Sequence, residues 1–153
     1  MSFEWADFTE VAELLGRQKG ATEARLRSAI GRSYYSAFKT AEEHPLFVRA
    51  PKTSLPQASS HEGIHTAVWR WFQDTGAAEP NRDLASVGQM GLKLKRLRQD
   101  ADYTSPSKLN RSMSDWFKKV EWNLPNLVMA GIPGFDRAAT AMMKKTLSDK
   151  GIA

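Results

Sequence analysis

Residues 23–42 read EARLRSAIGRSYYSAFKTAE. Leu26, Ile30, Tyr34, Ala37, Phe38 and Ala41 recur at intervals of three and four, so they line one side of a helix. The spacing predicts a long helix over about 23–43, with Thr22 as its cap and Pro45 as its stop. A half-buried strand would alternate with period two, and this stretch does not.

The same period runs outward in both directions. Upstream, Asp7 and Glu10 have capping-box spacing, and Phe8, Val11, Leu14 and Leu15 predict a helix over 7–18. Downstream, Pro45, Pro51, Pro56 and several serines predict a loop over 45–60. Ser59 and Glu62 repeat the capping-box spacing ahead of a helix over 60–74, with Ile64, Val68, Trp71 and Phe72 inward. After a turn at 76–80, Asp83 is the candidate cap of a helix over 83–101, with Leu84, Val87, Met90, Leu94, Leu97 and Ala101 inward. Ser105-Pro106 opens a fifth helix carrying Leu109, Met113, Trp116, Phe117, Val120 and Leu124, which Pro125 bends or ends. Beyond the glycines at 131 and 134, a short last helix is predicted over Phe135 to Leu147. The pattern predicts an all-α fold: one domain over 1–153, an antiparallel bundle of four to five core helices, with 131–153 as a C-terminal extension.

Composition narrows the chemistry. A chain of 153 residues, 41% hydrophobic and 25% charged, can bury a core but is too short for a large multidomain enzyme. Zero cysteines exclude disulfides, thiol catalysis and thiolate-bound zinc. No apolar run approaches the ~20 residues that span a bilayer, and the N-terminus lacks a secretory pattern. A cytoplasmic protein is the expectation. The net charge of +5 is concentrated. Residues 83–119 carry eight basic and four acidic side chains, with Lys93, Lys95, Arg96 and Arg98 inside one six-residue stretch. Such a cluster attracts phosphate polyanions, or forms a solvated helix face.

No phosphate loop, dinucleotide fingerprint or nucleophile elbow is present. His61-Glu62-Gly63-Ile64-His65 matches the letter of the zinc motif HExxH, but a third ligand is not evident and Glu62 has a capping role available. No metal and no cofactor are expected. A polar site follows instead from topology. If the helices over 60–74 and 83–101 pair as a hairpin, His61 and Arg98 each lie roughly 25–30 Å from the turn, at the same end of the bundle. Arg98, Asp102, Tyr103 and His61 are then candidate site residues. Each also has a structural reading: an Arg98–Asp102 ion pair one turn apart, a packing tyrosine, a helix-start histidine. Tyr34 lies on the apolar stripe and belongs in the core, as do Trp71 and Trp116. Tyr35 points off the stripe toward Arg32 and is a candidate subunit contact. Trp69 and Trp122 fall off their stripes and are candidate interface residues.

Three segments, AIGRSYYSAF over 29–38, SHEG over 60–63 and LKRLRQDADY over 94–103, occur in an order that resembles the HEPN superfamily, in particular its small stand-alone members. The resemblance covers about residues 8–125. It implies a helical bundle, commonly dimeric, that often acts as a metal-independent ribonuclease. Many members are toxins paired with a nucleotidyltransferase-like antitoxin or take part in phage defence. The usual catalytic motif is an arginine, four to six intervening residues, then a histidine. The arginine holds the scissile phosphate, and the histidine moves protons as the ribose hydroxyl attacks. On this chain Arg98 takes the arginine's place, but Tyr103 stands where the histidine would be, and no histidine follows His65. An ending of the Arg98–Asp102–Tyr103 kind recurs among small stand-alone members. Tyr103 can donate a hydrogen bond or stack on a base. His61 could supply the imidazole if the hairpin brings it near. Lys93, Lys95, Arg96 and Arg32 are the expected nucleic-acid contacts. Two functions follow: an RNA-associated HEPN-like protein with a non-standard ribonuclease site, or a non-catalytic helical module that binds a partner protein or nucleotide.

Overall fold

A computed structural model describes residues 2–50, 61–78, 81–105 and 117–118. Among them the chain forms α1 (Asp7–Gly16), α2 (Glu23–Glu42), the short α3 (Pro45–Arg49), α4 (His61–Ala78) and α5 (Arg82–Tyr103). There is no strand among the described residues, and no helix there is long and apolar enough to cross a membrane. The all-α bundle follows, with α1 packed on α2, α4 on α5, and α2 on α5 joining the two hairpins. The expected helices over 106–124 and 135–147, the extension over 131–153, Trp116 and the capping serine at 59 lie outside the described residues.

The long stripe of α2 is the centre of the molecule. Leu26, Ile30, Tyr34, Ala37, Phe38 and Ala41 are all buried. Thr22 caps the helix as its position predicts, its hydroxyl accepting from the Arg25 amide at 3.3 Å. Pro45 does stop α2, but it also opens α3, because a proline at a first helical position loses no hydrogen bond. The expected loop therefore begins with a helical turn. Its Phe47 ring meets the Trp71 ring edge-on at 5.3 Å.

Two caps differ from expectation. The Asp7 capping box does not form: α1 has no side-chain cap, and the Asp7 carboxylate accepts from the Glu4 amide at 3.2 Å instead. The cap of α5 is Asn81, whose side chain accepts from the Leu84 amide at 3.1 Å, so the helix starts before Asp83. Two faces are also rotated. On α1 the inward residue is Ala12, with Val11 and Leu14 exposed. On α4 it is His65, Trp69 and Phe72 with Val68 and Trp71, while Ile64 is exposed.

Glycines explain the rotation of α4. A Cβ on Gly91 of α5 would fall within the Trp69 indole, and one on Gly88 would meet the Trp69 carbonyl and Gln73. The two glycines open a notch into which Trp69 sinks. Across the hairpin, a Cβ on Gly76 would meet the Ala85 backbone, so α4 continues through Gly76 at close approach rather than turning there. Extending that register places the first turn of α4 opposite the turn of α5 that carries Arg98.

Candidate functional site

The polar groups of the core meet where α2, α4 and α5 converge. Tyr34 on α2 holds the centre. Its hydroxyl lies 2.6 Å from His65 Nδ1, and Trp69 Nε1 donates to the same oxygen at 3.3 Å. An indole N–H can only donate, so the Tyr34 oxygen accepts there and its own hydrogen is available to the imidazole. His65 is completely buried, with its ring stacked on Phe38 at 3.8 Å between centroids and 9° between planes. The Tyr34 ring lies nearly parallel to the imidazole at 5.5 Å and the Tyr35 ring perpendicular to it at 6.1 Å.

Arg98 approaches the same tyrosine from α5. Its guanidinium lies over the Tyr34 ring, 5.4 Å from the centroid, within cation–π range. Nη1 donates to Asp102 Oδ2 at 3.3 Å, one turn along the helix. Arg98 is only 4% exposed, whereas the Asp102 side chain is 40% exposed. A continuous chain of polar contacts therefore runs from Trp69 inside the bundle, through Tyr34 and Arg98, to the Asp102 carboxylate at the surface.

The candidate residues distribute as follows. Arg98 and Asp102 meet as the ion pair that their spacing allows. Tyr103 closes α5 beside them but stands in solvent, 79% exposed. His61 opens α4 at the same end of the hairpin; its side chain lies outside the described residues, as does all of Trp122. Lys93 and Arg96 are exposed on α5, and Lys95 is half-buried. Arg32 is exposed on α2 but over the Phe8 ring, 5.1 Å from its centroid, not beside Arg98. Tyr35 is half-buried and touches Tyr34 and His65 of its own chain. Trp69 is not on a surface of the chain at all: it is fully buried, drawn inward by the glycine notch of α5.

Two residues mattered more than their sequence context advertised. In the sequence His65 stands out only as half of a metal-like pair with His61. Its Nδ1 is engaged by Tyr34, and no group of three or more metal-ligating side chains occurs among the described residues. The available signal was its position one turn before Trp69, facing a tyrosine-rich helix. Arg27 is the second. Nη1 donates to the carbonyls of Ala101 at 2.7 Å and Thr104 at 2.8 Å, while its other nitrogens hold Glu23. A cation thus sits on the negative end of α5 and ties that end to the start of α2.

No family model, no curated protein and no solved structure matches the chain.

Proposed function

We propose that the chain is a HEPN-like helical interaction module, working in the cytoplasm as a homodimer and recognising a protein such as a nucleotidyltransferase-like partner, rather than cutting RNA by itself. One observation carries this reading. The guanidinium that would have to hold a scissile phosphate is 4% exposed and engaged by Asp102 and the Tyr34 ring. A phosphate would have to displace the carboxylate and reach into the core. The imidazole nearest to that group in the chain of contacts, His65, is fully buried with Nδ1 engaged. A proton-transfer group must reach its substrate through a hydrogen bond.

The test is incubation of the purified chain with RNA in the presence of a chelator. Intact RNA is the expected result. Cleavage that disappears in Arg98→Lys, with the helical content of the variant unchanged, would overturn the reading.

A second reading has its own support. Exposed Lys93 and Arg96 lead along α5 toward Arg98, and Tyr103 lies exposed at the end of that helix. This is a surface suited to RNA association, with catalysis in a toxin or defence system requiring a partner. RNA binding that weakens with salt and with K93E/R96E would favour it.

A further inference from the structure

The N-terminal edge of the bundle has a charge opposite to that of the whole chain. Residues 1–16 contain Glu4, Asp7, Glu10 and Glu13 and no lysine or arginine, in a protein whose net charge is +5. All four carboxylates are exposed. On the same segment Phe3 is 61% exposed, Leu14 59% and Val11 39%; the Phe3 ring sits edge-on to Trp5 and Phe8 at the start of α1. Leu14 lines an open depression together with Glu10, Glu13, Arg17 and Gln18. One helix and its lead-in thus expose three large apolar side chains together with four carboxylates.

The opposite chemistry is present on α5. Arg82, Gln89, Lys93 and Arg96 share its outward side and are all exposed, with Asp100 the acidic group among them. The α1 and α5 helices both pack on α2, so one chain displays the acidic face and the basic face together.

We propose that α1 of one copy docks on the outward face of α5 of a second copy. This rests on the homodimeric part of the reading above and assigns its surface. A reciprocal pairing, each α1 on the other α5, closes with two-fold symmetry and uses both faces twice. Carboxylates meet guanidinium and ammonium groups at the rim, while Phe3, Val11 and Leu14 cover the stems of the basic side chains.

Charge reversal tests the surface without truncating the chain. Molar mass by light scattering is measured at low salt for the natural chain, for E10K/E13K, for R82E/R96E, and for an equimolar mixture of the two variants. Circular dichroism checks that each variant is folded. The expected result is a dimer for the natural chain, a monomer for each variant alone, and a dimer again on mixing, because in the mixed pair one contact joins the new lysines to the new glutamates and the other joins the unaltered α1 to the unaltered α5. A dimer unmoved by either reversal would overturn this surface and leave the homodimer standing. A monomeric natural chain at tens of micromolar would overturn both.

Discussion

Tyr34 shows how one side chain can set the identity of its neighbours. Its hydroxyl serves Trp69 and His65 at once, and its ring face carries Arg98. Tyr34→Phe keeps the ring and removes only the oxygen, leaving a buried indole N–H and a buried imidazole nitrogen without it. The expected cost is about 1–3 kcal/mol of unfolding free energy, measured by denaturant titration. Gly91 works through absence. Alanine normally favours a helix over glycine by about 1 kcal/mol. Here the added methyl would lie within the Trp69 indole, so Gly91→Ala should destabilise by about 1–3 kcal/mol, as overpacking does. A raised melting temperature in that variant would contradict the notch. The sequence could not display this notch: glycines at 88 and 91 read as weak points in a helix until the residue facing them is known. For the same reason Trp69 reads as an off-stripe interface residue in one dimension and is a core residue in three.

At the scale of elements, what was legible was the period and what was lost was the phase. The α2 stripe survives intact because that helix lies between α1 and α5, with the side chains of α4 reaching Tyr34 and Phe38, so its apolar positions are all covered. The α1 helix packs along α2, with Phe117 against Gly16 at its end, and the residue it buries fully is Ala12, with Val11 and Leu14 left outside. Arg27 is the element-scale contact that no pattern announces, because it joins the start of α2 to the end of α5, 74 residues apart. Arg27→Ala should release the last carbonyls of α5 and the coupling between the two helices. The expected effect is about 1–2 kcal/mol, by analogy with other cations at helix ends, and faster amide exchange confined to the last turn of α5. Uniformly faster exchange along α5 would show that the arginine supports the whole helix and not its end. Asn81→Ala tests the other end, where loss of the side-chain cap should cost about 1 kcal/mol.

For the whole molecule, the question is whether Arg98 belongs to the architecture or to a reaction, and the two roles predict different orders among variants. The side chain joins α5 to Tyr34 on α2, at the seam between the two hairpins, so its stem and guanidinium fill space in the core. Its carboxylate partner is 40% exposed and can be rehydrated once the arginine is gone. Removing the charge alone therefore does not strand a buried anion, which is the usual source of large losses at broken buried pairs. Arg98→Met retains most of the stem and the contact with the tyrosine ring, and should cost less than about 1.5 kcal/mol. Arg98→Ala removes the stem as well and should cost about 2–4 kcal/mol. If the arginine is architectural, every biological readout should follow stability: methionine close to the natural chain, alanine impaired. If it holds phosphate, methionine and alanine should be equally inactive although only alanine is unstable, because neither can donate to an oxyanion. Comparing thermal stability with toxicity or partner binding across the two variants separates these cases, since stability and chemistry rank the methionine variant in opposite ways.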